Sequence, residues 1–281
     1  MEPIEVTTAR LTGAVDAVRD AEGGPFEVAT YSWMKHGDVR AADVFAARLA
    51  ARLIAAVPSL VTDSAPLVLP VAWLAVPPSC HVLAERVLAR LDDARFGHGN
   101  APGRIVQVHK DSVTHTDYAT ASQADRAAEL SRIGFALSEP VDGAQVVLID
   151  DVRVTGMAEA TILRALADSA PARVVTAYVA VCTPELAASP HVESALNHAA
   201  VASILDLVPV VQRGDFRLTI RFLKRALASA SLPAFVAAVP RALVEQMYAG
   251  ALATGPDFVA GYPTGVATLR EALGAPEVAH V

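Results

Sequence analysis

The hydrophobic pattern changes period along the chain, and the changes mark its elements. In AADVFAARLAARLIAAV (41–57), Val44, Phe45, Leu49, Leu53 and Ile54 recur at helical spacing, so a helix is predicted, stopped by Pro58. LVLPVAWLA (67–75) is a continuous apolar run suited to a strand buried on both faces, although Pro70 disfavours a regular central strand. After Pro77 and Pro78, Ser79 can cap a helix over 80–91. GHGNAPG (97–103) reads as a turn, and RIVQVH (104–109) as a strand. The polar stretch 110–122 has no period and reads as a long loop, followed by a helix over 123–134. AQVVLID (144–150) is the clearest strand, 156–168 the next helix, and ARVVTAYVAV (172–181) another buried strand.

Strands alternating with helices argue for an α/β fold with a parallel sheet covered on both faces. Beyond about residue 185 the strand signals fade. Residues 192–203, 216–230 and 234–253 read as helices, with breaks at Pro209, Gly214, Pro233 and Pro240. The expected organisation is an α/β core over 1–185 and a mainly helical region over 186–281.

Composition narrows the function. The 281 residues are 53% hydrophobic and 19% charged, which excludes a disordered chain. A net charge of -7 argues against non-specific nucleic-acid binding. Mean hydropathy is +0.38, yet the most apolar stretch, 65–78, contains four prolines and falls short of a membrane span. The acidic start, MEPIEVTTAR, is not a signal peptide. A cytoplasmic protein is expected. Cys80 and Cys182 make no metal or disulfide framework and read as small core or near-core hydrophobes. His109/His115 and His191/His198 lack metal spacing. Arg213, Arg217, Arg221, Lys224 and Arg225 form either a solvated helix face or a docking face. The apolar C-terminal helices could pair two subunits into a homodimer or pack on the core.

One segment carries chemistry: VVLIDDVRVTG, residues 146–156. Four apolar residues end in Asp150 and Asp151, at the carboxyl edge where open α/β sheets bind ligands. Consecutive strand residues point in different directions, so the two acids can serve neighbouring hydroxyls of one sugar, or a hydroxyl and a hydrated cation. The following turn, Val152, Arg153, Val154, Thr155 and Gly156, presents N–H groups at a helix start, a site for phosphate. Thr155 adds a hydroxyl, and Gly156 lets the backbone approach closely. Together these describe a ribose 5-phosphate. At roughly 5% per named residue and about half apolar per strand position, the pattern arises by chance on the order of 10⁻⁴ times in such a chain. The plain alternative is that the acids only end a strand or cap a helix.

This motif resembles the phosphoribosyl pyrophosphate (PRPP) motif of type I phosphoribosyltransferases. YSWMKHGD (31–38) and TDYATAS (116–122) are similar to segments of uncharacterised bacterial members. The resemblance implies a parallel core, a small hood and Mg²⁺-dependent use of PRPP, with pyrophosphate released as ribose 5-phosphate passes to a nitrogenous base. It puts Asp150 and Asp151, the catalytic pair, on the ribose hydroxyls, and residues 152–156 on the 5-phosphate. By position, Val76-Pro77-Pro78-Ser79 corresponds to the pyrophosphate loop and 109–122 to the flexible loop, with Lys110 as its cation. Lys35, beside Tyr31, Gly37 and Asp38, belongs to a site edge or to a capped helix start. Two departures stand out. Arg153 replaces an aliphatic residue, and either reaches the anion or pairs with an outside acid. Val154 replaces an acid that serves the base in purine-salvage members. A non-catalytic PRPP or nucleotide sensor of the same fold is the alternative function.

Overall fold

A computed structural model describes residues 2–110, 135–166, 169–189 and 191–275. The expected flexible-loop segment 111–122 and the expected helix 123–134 lie outside the described residues. The chain divides into two compact units. The first contains Met1–Val28, Ala42–Trp73 and Cys80–Leu196; the second contains Ala29–Ala41, Leu74–Ser79 and Asn197–Val281. The expected 1–185 and 186–281 organisation has a single crossing, whereas these units are interleaved along the sequence.

The first unit is built on a sheet of β1 (Ile4–Thr7), β2 (Arg10–Thr12), β3 (Arg19–Asp20), β4 (Leu67–Ala72), β5 (Arg104–Lys110), β6 (Phe135–Leu137), β7 (Gln145–Arg153) and β8 (Arg173–Cys182). Their order is β3-β2-β8-β7-β4-β5-β6, with β1 also on β8. β1 and β2 lie along successive parts of one edge of β8, pairing with Val175–Tyr178 and then with Val181 and Cys182. The central pairings β4–β5, β4–β7, β7–β8, β1–β8 and β2–β8 are parallel, and β3 and β6 are antiparallel edges. The apolar runs of β7 and β8 are buried at almost every position, so both sheet faces are covered. Val68, Val106, Val146, Val174 and Leu166 form one core cluster there.

Pro70 does lie in a central strand. The β4–β7 ladder covers only Leu67 and Val68, while the β4–β5 ladder runs from Val68 to Ala72. The proline therefore follows the stretch where β4 is paired on both sides, which is where a missing N–H is tolerated. Arg95, fully buried near the end of the helix Ser79–Gly97, ties together the short helix Ser59–Thr62 and the segments that precede β4 and β5. Its guanidinium donates to the carbonyls of Leu60 (2.6 Å), Ala65 (3.0 Å) and Ala101 (2.8 Å).

The second unit has its own core, with Phe222, Phe235, Met247, Leu269 and Val76 buried together. Pro209 and Pro233, expected as breaks, instead open the helices Val208–Gln212 and Leu232–Ala238. A first-turn proline loses no helical hydrogen bond and its φ is already set. Pro240 does interrupt, preceding the helix Arg241–Thr254. Gly265, in the helix Pro263–Leu273, packs so closely that an added Cβ would sit 2.2 Å from the Leu227 carbonyl oxygen. Among the described residues, no helix is long and apolar enough to cross a membrane.

Within this unit His36 is completely buried. Its Nδ1 lies 2.9 Å from the Ser32 carbonyl oxygen, and Arg225 Nη1 lies 2.8 Å from its Nε2. An arginine can only donate, so Nε2 accepts and Nδ1 carries the proton. Arg225 also donates through Nη2 to the Ala202 carbonyl at 2.6 Å. Burial, then the charges of Arg225, Arg221 and neighbouring His198, outweigh the Ser32 hydrogen bond and push the imidazole pKa down to about 3. His36 is therefore a neutral part of the packing.

Candidate functional site

β7 carries the motif. Its buried residues Val146, Val147, Leu148 and Ile149 fix the strand between β4 and β8, and the acids follow. The strand runs through Arg153, three residues beyond its expected end at Asp150. Val152 and Arg153 are thus laddered to Ala180 and Val181, and the turn proper shrinks from 152–156 to 154–156.

The two acids are ordered by their own backbone. Asp151 N–H donates to Asp150 Oδ1 at 2.8 Å, and Val152 N–H donates to Asp151 Oδ1 at 2.7 Å. The second contact occupies the Val152 N–H, which was expected among the phosphate donors. Asp151 is buried and Asp150 half-buried. Each carboxylate thus has one oxygen on a neighbouring donor, an arrangement that holds both in place without a ligand.

Gly156 ends the turn in the left-handed region, at φ 71°, and caps the helix Met157–Ala165. A side chain at this position would be strained, so glycine gives the turn its path into the helix. Thr155 is exposed beside it and Val154 half-buried. N–H groups at a helix start, with a hydroxyl beside them, suit an anion.

Arg153 takes the second of its two expected roles. Its Nη2 lies 2.6 Å from Glu5 Oε2 and its Nη1 3.3 Å from Glu159 Oε2. Its Cζ lies 5.1 Å from the centre of the Tyr178 ring. Tyr178 is in register with Asp150 on one side and Thr7 on the other. Burial, a hydrogen bond to Glu159, and the charges of Glu159 and Asp150 keep its phenol protonated far above the ordinary range. Glu5, Glu159 and Tyr178 have no role in the sequence reading. Glu159 alone had a local signal, an acid in the first helical turn six residues past Arg153; Glu5 and Tyr178 reach Arg153 only through strand pairing. Glu5 also pairs with Arg10 at 3.0 Å and lines a cavity of about 340 Å³ with Thr7, Thr8, Arg52 and Glu22.

The other expected contacts divide between the units. Lys110 is the last residue of β5, and its side chain lies outside the described residues. Lys35, Pro78 and Ser79 belong to the second unit. Lys35 is buried, with Nζ 5.8 Å from the centre of the Tyr31 ring. Asp38 accepts from Ala41 N–H at 3.0 Å ahead of the helix Val39–Ala56, so the cluster around Lys35 includes a capped helix start. Ser79 is buried as the first residue of its helix, and the neighbouring Pro77 carbonyl accepts from Ile220 N–H at 3.0 Å.

A protein-family model described as "PRTase ComF-like" matches residues 12–258. No curated protein matches the chain. Among solved structures, a hypoxanthine phosphoribosyltransferase from Staphylococcus aureus is 14% identical, with a TM-score of 0.34, covering 53% of this chain and 67% of its own. A mutant hypoxanthine phosphoribosyltransferase from Trypanosoma cruzi complexed with the product IMP is 15% identical, with a TM-score of 0.35, covering 52% and 75%. The hypoxanthine-guanine phosphoribosyltransferase of Leishmania donovani is 13% identical, with a TM-score of 0.33, covering 51% and 70%.

Proposed function

Because this chain belongs to the ComF-like phosphoribosyltransferase family, we propose that residues 150–156 bind the ribose 5-phosphate part of PRPP for transfer to a nitrogenous base. The observation that carries the reading is local. A buried strand delivers two ordered carboxylates and, within five residues, a left-handed glycine turn that opens a helix. Asp150 and Asp151 accept from the ribose 2′ and 3′ hydroxyls. The 154–156 turn and the Thr155 hydroxyl take the 5-phosphate.

In the reaction a ring nitrogen of the base forms a bond to the anomeric carbon as the bond from that carbon to the pyrophosphate oxygen breaks. The bonding pair leaves with pyrophosphate, and the proton displaced from the base passes to solvent. Positive charge builds on the ribose ring in between. The carboxylates hold the ring and favour that charge, so the protein's contribution is positioning and electrostatics. Mg²⁺ suits this donor set. Asp150 and Asp151 offer hard carboxylate oxygens and would hold such an ion together with substrate oxygens, where it would neutralise charge on the departing pyrophosphate.

A second reading, a PRPP- or nucleotide-binding regulator, is favoured by Val154, which puts an apolar side chain where an acid would serve a purine base. Calorimetry with PRPP–Mg²⁺ and pyrophosphate release with a panel of bases test both readings. Binding with turnover supports the transferase, and binding without turnover on any base supports the regulator. Asp150→Asn with Asp151→Asn should weaken PRPP binding about 100-fold or more, since hydrogen bonds to charged groups contribute roughly 1.5–3 kcal/mol each. An unchanged circular-dichroism spectrum would show that the fold survives. Undiminished affinity in the double variant refutes the site.

A further inference from the structure

Arg153 is the one cation inside the motif, and the structure spends it on carboxylates. Glu5, Glu159 and Tyr178 hold its guanidinium from β1, from the helix Met157–Ala165 and from β8. Tyr178 also hydrogen-bonds Glu159, so the four side chains form a connected group. Glu159 lies in the first turn of the helix that Gly156 opens, and its Oε2 is 3.8 Å from where a Gly156 Cβ would be. A carboxylate there sits in the same favourable field as an incoming phosphate and repels it. Its charge must be balanced for the turn to accept an anion.

We propose that Arg153 is a positioning residue for the phosphate turn: it neutralises Glu159 and holds it in place, while Glu5 and Tyr178 anchor the guanidinium, and it does not ligate the phosphate itself. This rests on the reading that residues 150–156 bind PRPP. An arginine bound directly to phosphate and one that balances a neighbouring acid give opposite results in a double-mutant cycle.

The test measures PRPP–Mg²⁺ affinity by calorimetry for the full-length wild type, Arg153→Met, Glu159→Gln and the double variant. Arg153→Met should weaken binding about tenfold by leaving Glu159 uncompensated. Adding Glu159→Gln to Arg153→Met should restore affinity to within about threefold of wild type, because the repelling charge is gone. Arg153→Lys keeps the charge without the fork and should fall between wild type and Arg153→Met. If Arg153→Met does not fold, Arg153→Lys with and without Glu159→Gln carries the same comparison. A loss of equal size in both Glu159 backgrounds means that Arg153 touches the phosphate, and it overturns this inference alone. No binding by the wild type overturns the PRPP reading, and this inference with it.

Discussion

Acidification should destabilise the second unit through a single imidazole. An unfolded chain protonates His36 near the ordinary value of 6.5, whereas the native environment lowers that value to about 3. Between those values the unfolded state holds a proton that the folded state refuses. Stability therefore rises with pH across this window. The contribution is fully present above about pH 6.5 and is lost as pH falls toward 3. The gap from 6.5 to about 3 corresponds to roughly 5 kcal/mol at 1.36 kcal/mol per pH unit. At about pH 5 the loss is about 2 kcal/mol. That smaller figure depends only on the unfolded value, because the native imidazole is neutral at about pH 5. His36→Gln is the matched control. Its amide oxygen can accept from Arg225 as Nε2 does, and it cannot titrate. Urea unfolding at about pH 7.5 and about pH 5, followed through Trp33, which packs against this unit's core, compares the two proteins. The wild type should lose about 2 kcal/mol more than His36→Gln. Equal losses would refute the assignment, and would place the acid sensitivity in other groups.

Further tests address other features. Gly265→Ala would drive a Cβ into the Leu227 backbone, 2.2 Å from its oxygen and 2.7 Å from its Cα. Overpacking against backbone should cost about 3 kcal/mol in urea unfolding, and a loss below about 1 kcal/mol would show that the contact relaxes. Arg95→Met keeps much of the buried volume but strips donors from the carbonyls of Leu60, Ala65 and Ala101. It should destabilise by roughly 3–5 kcal/mol in the same assay; near-neutrality would mean that water replaces the guanidinium. The Cys182 thiol is buried, and burial, then the charge of Glu193, raises its pKa to about 11. Iodoacetamide at neutral pH should label Cys80 in the native protein and reach Cys182 only after denaturation; equal labelling by peptide mapping contradicts the packing.

What the sequence made readable follows from how far each interaction reaches along the chain. β7 and β8 are long apolar runs, and the acids and glycine of the motif lie within a few residues of the strand that presents them. Such local order shows in a linear reading. The strand runs past its expected end because Val152 and Arg153 stay in the ladder through pairing with Ala180 and Val181. β1 to β3 went unread for a related reason: each has at most four residues, and β1 and β2 are strands because β8 offers them an edge. Arg153 shows the same limit at the site. Its pairing with an acid was one of two open roles, but the acid Glu5 lies at the other end of the sequence. The helices Pro256–Gly261 and Pro263–Leu273 were not foreseen either. Each opens on a proline, which at a first-turn position loses no helical hydrogen bond.

The interleaving of the two units bears on how such a chain can change over generations. The second unit draws on Ala29–Ala41 and Leu74–Ser79 as well as on Asn197–Val281, and its core includes Val76 beside residues from beyond 200. A single recombination event could neither donate this unit to another gene nor delete it cleanly. Removing the last stretch would strand two short pieces of its partner surface inside the remaining polypeptide. Substitution and small insertions at the joints then become the easier routes by which this unit can diversify.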